Sequence, residues 1–110
     1  AFNNGGSPSI SGWNTSSVTN MNSMFRLCNS FDQSLSGWDV SSVTNANSFM
    51  YGGTLSTANY DSTLGGWSSQ SVQNGVNIHL GKSQYSSATG AAYRTALVNA
   101  GWTITDGGQA

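Results

Sequence analysis

Glutamate is absent from this 110-residue chain, and the only charged side chains are Arg26, Lys82, Arg94, Asp32, Asp39, Asp61 and Asp106. A net charge of −1 leaves no basic stripe for a nucleic-acid backbone and no polybasic patch for an anionic membrane surface. Carboxylate-pair catalysis of the glycosidase kind is poorly served, since the aspartates are isolated and only Asp32 and Asp39 could approach each other. Cysteine occurs once, at Cys28, so an internal disulfide is excluded. No apolar run is long enough to span a bilayer, and no export signal is present. The expectation is a mature fragment or excised domain whose signal lies outside this sequence. Leu, Ile, Val and Phe together supply only 19 residues, few enough to raise the question of disorder. Disorder, however, goes with high net charge and few aromatics, whereas this chain places 12 aromatic residues at recurring positions. One folded domain is expected.

What the chain has instead is Ser, Asn, Gly and Thr, numbering 20, 12, 14 and 10 and making up about half of it. Hydroxyls and amides, rather than Lys and Glu, solubilise such a surface, as in secreted and cell-surface bacterial proteins. A tryptophan-headed block occurs twice, 25 residues apart: Ser11-Gly-Trp-Asn-Thr-Ser-Ser-Val-Thr-Asn-Met-Asn-Ser-Met-Phe25 and Ser36-Gly-Trp-Asp-Val-Ser-Ser-Val-Thr-Asn-Ala-Asn-Ser-Phe-Met50. Ile10 matches Leu35 just upstream. A period in the twenties predicts stacked coils, each burying its apolar side on its neighbours.

Within each repeat, a short extended piece between Ile10/Leu35 and Trp13/Trp38 is followed by Val18, Met21, Met24 and Phe25 at spacings that suit a helical or 3₁₀ turn. A degenerate third copy follows, with Leu64-Gly-Gly-Trp67 answering Leu35-Ser-Gly-Trp38. Its extra residues read as a helix capped by Thr57, with Tyr60 and Leu64 on one face and Gly65-Gly66 as terminator. Asn74-Gly75 predicts a turn, and Val76–Leu80 alternates as a half-buried strand. A second helix is capped by Ser86 or Ser87, with Tyr93, Ala96, Leu97 and Ala100 on its apolar face and Gly101 at C′. Trp102–Thr105 reads as a closing strand. The chain thus divides into an irregular segment 1–9, in which Phe2 folds back over the first coil or the end frays. Two repeats over 10–53, diverged capping coils over 54–105 and a tail at 106–110 follow. The fold class expected is α/β, a short repeat solenoid with a two-helix cap.

Gly-Trp-Asp-Val-Ser-Ser-Val-Thr-Asn, with Phe31-Asp-Gln-Ser-Leu upstream, resembles the BspA-type repeats of bacterial surface proteins. These are leucine-rich-repeat-like units of about 25 residues. The tail from Leu55 to Gly108 resembles the segment that closes such arrays, so the likeness covers roughly residues 10–108. It departs at Ala46, where Met is usual, and at Phe49-Met50, which inverts the usual order. The resemblance implies a secreted or cell-wall-associated solenoid, monomeric within a longer chain, whose partner is a protein or glycan of a host or neighbouring cell. It implies no cofactor, no nucleic acid and no membrane insertion.

Candidate chemistry is sparse. Asp39 aligns with Asn14, which calls for a short side chain bonding its own backbone in an Asx turn; a calcium role for Asp39 or Asp106 lacks a multi-oxygen loop. His79 lies on the polar face of its strand with no partner at metal-ligand spacing. Cys28 matches Gly53, and reads as a small buried thiol. The tryptophans Trp13, Trp38 and Trp67, with Trp102, form either a packed aromatic ladder or a sugar-stacking platform. Thr19 and Thr44 head a hydroxyl row that either supports turns or orders ice-like water. No enzyme is expected. An extracellular interaction or adhesion module comes first, a structural cap or spacer second, and a glycan- or ice-binding face through Trp13, Trp38, Trp67, Thr19 and Thr44 third.

Overall fold

The computed structural model describes residues 12–28 and 30–110, so the segment 1–9, Phe2 and Ile10 lie outside the described residues. The second copy of the repeated block lies directly on the first. Backbone N–H groups of Met21, Ser23, Phe25 and Leu27 donate to the carbonyls of Asn45, Asn47, Phe49 and Tyr51 at 2.7–3.0 Å. The intervening N–H groups stay within their own layer, Met24 donating to Met21, Arg26 to Ser23 and Cys28 to Phe25. The expected helical turn is therefore replaced by a run of turns whose alternate N–H groups point along the stack. A helix would direct every N–H back along itself. Ser23 (φ 59°) and Leu27 (φ 60°) adopt the left-handed region and interrupt that winding. Ser48 (φ 58°) and Gly52 (φ 83°) hold the same places one layer on.

The stacking continues through the diverged half. Asn20 bridges Asn45 and Ala46 bridges Ile78, both in parallel. Strand β1 (Asn77–His79) pairs in parallel with β2 (Thr103–Thr105), Ile78 standing opposite Ile104. Both strands fall inside the stretches read as strands, Val76–Leu80 and Trp102–Thr105. The middle residue of each paired three-residue segment therefore points inward, and Met21, Ala46, Ile78 and Ile104 form a buried column. Full burial of such a side chain is worth about 1.5–3 kcal/mol.

Helix α1 (Thr57–Ser68) is inserted between the second and third layers in sequence, and α2 (Gly90–Asn99) between the third and fourth. Ser56, rather than Thr57, caps α1, its hydroxyl accepting from the Asn59 N–H. Asp32 from the preceding layer accepts the Ser56 N–H at 2.9 Å. Asp61 repeats the device for α2, taking the N–H (3.0 Å) and hydroxyl (2.6 Å) of Ser86. The Ser86 hydroxyl in turn accepts from the N–H groups of Thr89 and Gly90. Each carboxylate thus lies at the positive end of a helix. On α2 only Gly90 and Leu97 are buried; Tyr93, Ala96 and Ala100 of its expected apolar face are exposed. Gly101 (φ 105°) follows the helix as expected and turns the chain so that Trp102 enters the core.

Gly65-Gly66 does not terminate α1, which runs through both glycines to Ser68. The pair serves close approach instead. A Cβ on Gly66 would stand 2.2 Å from the Ser36 carbonyl oxygen, whereas one on Gly65 would meet only the ring of Tyr93, at 2.9 Å. The core around this contact is a chain of rings. Trp13 stacks on Trp38 at 6.2 Å, Trp38 meets Phe25 at 5.8 Å, and Phe25 meets Phe49 at 5.3 Å. Phe49 then packs on Trp67, and Trp67 on Trp102, each at 6.0 Å. Phenylalanines therefore carry the aromatic contact from Trp38 to Trp67, because α1 sets Trp67 out of the register of the first two indoles. The indole N–H groups of Trp67 and Trp102 donate to the carbonyls of Leu35 and Gln73, both at 2.9 Å.

A buried polar cluster fastens the two helices to the last strand. Tyr60 of α1 donates its hydroxyl to Asp106 at 2.5 Å, and Arg94 of α2 pairs with the same carboxylate at 2.8 Å. Arg94 also donates to the Ile104 carbonyl at 3.1 Å. Burial, reinforced by the bond to Asp106, pushes the Tyr60 phenol well above its ordinary value of 10.0. Burial alone would lower the Arg94 value, but the bond and charge of Asp106 outweigh it and the guanidinium is held charged.

Gly66→Ala should destabilise the fold by about 1–3 kcal/mol in urea denaturation, against the gain of up to about 1 kcal/mol that helix propensity alone would give. Gly65→Ala, whose new methyl meets a movable and partly exposed ring, should be near neutral. Equal effects of the two would refute close packing against Ser36. At alkaline pH the unfolded chain releases the Tyr60 proton at a lower pH than the folded chain does. Its contribution is therefore complete below about pH 10 and declines as pH rises above it. Phenolate absorbance from Tyr60 should appear only with unfolding. Tyr60→Phe should cost about 1–2 kcal/mol at neutral pH and flatten the alkaline decline in melting temperature.

Candidate functional site: a polar depression on the stacked layers

Opposite the buried column, residues one place either side of it point outward: Asn20, Asn45, Asn77 and Thr103 on one side, Asn22, Asn47, His79 and Thr105 on the other. The burial pattern of β1 and β2, with Ile78 and Ile104 buried between more exposed neighbours, follows from this alternation. In the first two layers the nearer row is tied down. Asn20 and Asn45 accept the N–H groups of Asn22 and Asn47 at 2.8 and 3.3 Å, closing Asx turns. In the third and fourth layers that device is gone.

There the surface is concave. A depression of about 350 Å³ is lined by Asn47, Ser48, Asn77, His79, Thr103 and Thr105, with Ile78 at its floor. The His79 ring is fixed on two sides. Its Nδ1 accepts the Gly81 N–H at 3.0 Å, which puts the proton of the neutral ring on Nε2. The ring of Tyr51 meets it edge-on at 5.2 Å. Arg26 lies over the same tyrosine at 5.4 Å, so three layers contribute a row of Arg26, Tyr51 and His79 beside the depression. Tyr51 is 47% exposed, one of few large apolar side chains so placed.

The residues singled out from sequence fall elsewhere, with one exception. Trp38 and Trp67 are fully buried and present no ring to solvent; Trp13, 52% exposed, covers Trp38 from outside. Thr19 and Thr44 are exposed on adjacent layers, where the N–H and hydroxyl of Thr44 both donate to the Thr19 carbonyl, at 2.8 and 3.3 Å. They do not line the depression. Asp39 and Asn14 close matching Asx turns, accepting the N–H groups of Ser41 and Ser16 at 2.9 and 3.1 Å. The hydroxyl and N–H of Ser41 hold the Asp39 carboxyl below its ordinary value. Cys28 is buried, stacked in register with the buried Gly53.

His79 is the exception, and it enters with partners that sequence reasoning passed over: Asn47, Ser48, Tyr51, Asn77, Thr103 and Thr105. Alternation in 76–80 and 102–105 carries the signal for three of these six positions, Asn77, Thr103 and Thr105, and for His79, but not for their meeting Asn47. Among the described residues, no group of three or more His, Cys, Asp or Glu side chains could hold a metal ion. Nor is any described helix long and apolar enough to cross a membrane. All four aspartates serve the fold: Asp32 and Asp61 at helix starts, Asp39 in a turn, Asp106 in an ion pair. The site can donate and accept hydrogen bonds, and it brings no carboxylate to the imidazole.

No curated protein and no solved structure matches the chain. Residues 2–91 match a protein family, spanning both copies of the tryptophan block, the whole of α1 and β1 and the start of α2. By that match, the chain belongs to the family described as "Mycoplasma protein of unknown function, DUF285".

Proposed function

We propose that this chain is an extracellular, non-enzymatic interaction module, the closing end of a BspA-type, leucine-rich-repeat-like solenoid, and that it binds through the outward face of its layers. One observation carries the reading. Carboxylates are withdrawn into structural bonds, while the outward side chains of the third and fourth layers are left to solvent in a concave surface. A surface so arranged recognises by hydrogen bonding and shape, and lacks the matched acid and base that proton transfer requires. The hydroxyl- and amide-rich exterior, with almost no charge, suits a module working outside the cell, and the 25-residue period suits a repeat array. A structural cap or spacer is the second reading. It is favoured by the way Asp106 locks both helices onto the last strand.

Panels of immobilised cell-surface proteins and glycans, probed with the purified chain, test the proposal. Binding to at least one of them is expected, with loss of that binding in Asn47→Lys and Thr103→Lys. Both variants should melt within a few degrees of the parent, since each changes an exposed side chain. Signal that survives both substitutions would remove the outward face from the account, and silence from a monomeric, folded chain would leave the spacer.

A further inference from the structure

We propose that the depression over the third and fourth layers is a subsite for a neutral saccharide. This inference rests on the interaction reading above and names the class of ligand. Asn47, Ser48, Asn77, Thr103 and Thr105 have side chains with no hydrogen-bond partner among the described residues, and all five converge on one hollow. The equivalent asparagines of the first two layers, Asn20 and Asn45, are engaged by their own backbone. Free hydrogen-bonding capacity is thus gathered in the hollow where the repeat breaks down.

The kind of capacity matters. Each asparagine amide offers a carbonyl acceptor beside an NH₂ donor, and each hydroxyl both donates and accepts. The hydroxyls of a sugar also donate and accept, so neighbouring pairs of them match an amide. His79 adds a directed donor: with Nδ1 held by Gly81, the neutral ring presents Nε2–H. Tyr51, held between Arg26 and the His79 ring and 47% exposed, stands next to His79, where its exposed ring can pack on the apolar C–H face of a sugar that extends past the hollow. At about 350 Å³ the hollow lies at the small end of ligand pockets, a size for one or two sugar rings rather than a long chain.

Charge narrows the class. No Lys, Arg, Asp or Glu lines the hollow. The guanidinium of Arg26 is directed over Tyr51, on the far side of it from the layers that carry Asn77 and Thr103. A carboxylated or sulfated glycan would bring a charge that nothing in the lining answers. Ice-like water needs a flat, regular array, which a concave lining of mixed amide, hydroxyl and imidazole does not supply. The two regular threonines, Thr19 and Thr44, lie outside it.

The test uses the purified chain on one array carrying neutral oligosaccharides of hexose and N-acetylhexosamine, acidic glycans and cell-surface proteins, followed by calorimetric titration with the best neutral glycan. Asn77→Ala and Thr105→Ala should each weaken binding by about tenfold, the equivalent of one good hydrogen bond. Thr44→Ala, outside the hollow, should leave affinity unchanged. Amide resonances of Asn77, His79 and Thr105 in the unaltered chain should shift on adding the same sugar, a readout that holds even if a variant folds poorly. Binding to proteins alone, or to acidic glycans alone, would overturn the saccharide subsite and leave the interaction module standing. Silence on the whole array would sink both. Affinity that is equal in Asn77→Ala, Thr105→Ala and the parent, or shifts confined to other layers, would place the sugar elsewhere and defeat the proposal.

Discussion

Hydrogen bonding between layers is the constraint on which the rest of this molecule depends. Turns stacked on turns leave alternate backbone N–H groups with no partner in their own layer, and the neighbouring layer must supply it. A buried N–H left unmade costs about 1–3 kcal/mol, so no single layer is stable by itself. The same constraint accounts for Ser23, Leu27 and Ser48 in the left-handed region, a conformation unfavourable for residues with a Cβ. Holding those angles turns the N–H groups of Ser23 and Leu27 toward Asn47 and Tyr51. Leu27 shows the compromise most plainly: its side chain is left 53% exposed so that its backbone can bridge to the next layer.

Seen this way, the hydroxyl- and amide-rich composition is a scaffold as well as a surface. Thr63 and Ser83 are buried, and each accepts the N–H of a leucine 28 residues earlier, Leu35 and Leu55, at 2.9 Å. Gln70 spans a gap with both ends of its amide, accepting from the Val40 N–H and donating to the Trp38 carbonyl, both at 2.8 Å. Thr15 exchanges bonds with both the carbonyl and the N–H of Asp39 in the layer above. Among the described residues, no buried side-chain nitrogen or oxygen lacks a partner. With so few Leu, Ile, Val and Phe residues, the core is correspondingly aromatic, and polar side chains complete the bonding at its margin.

Much of this was legible in the sequence wherever a local rule and the period agreed. Asn14 and Asp39 occupy one position of the repeat and close the same turn. Val76–Leu80 alternated, and its middle became β1; Gly101 sat where a helix had to end, and it holds the left-handed angle. Illegible were features decided by contacts distant in the chain. The spacing of Val18, Met21, Met24 and Phe25 fits a helix and a chain of turns equally, and only the neighbouring layer's carbonyls choose between them. Gly65-Gly66 looks the same whether it stops a helix or lets one approach Ser36. The candidate site suffered most. His79 was visible as the polar residue of a strand, but its meeting with Asn47 depends on how α1 resets the register between the second and third layers.

That register shift also decides which outward side chains are free. The inward column stays apolar through all four layers, from Met21 and Ala46 to Ile78 and Ile104, so the packing demand persists while the repeat wording lapses. What changes is the pair of outward neighbours: Asn-Met-Asn and Asn-Ala-Asn give way to Asn-Ile-His and Thr-Ile-Thr. In the first two layers the leading asparagine folds onto its own backbone and stiffens the turn. Once β1 and β2 take up extended geometry, their ladder bonds hold the backbone, and the outward side chains are released from that duty. A strand pair therefore frees hydrogen-bonding groups that a turn ladder consumes. The diverged layers are the part of this fold that can present a polar site without weakening the stack beneath it.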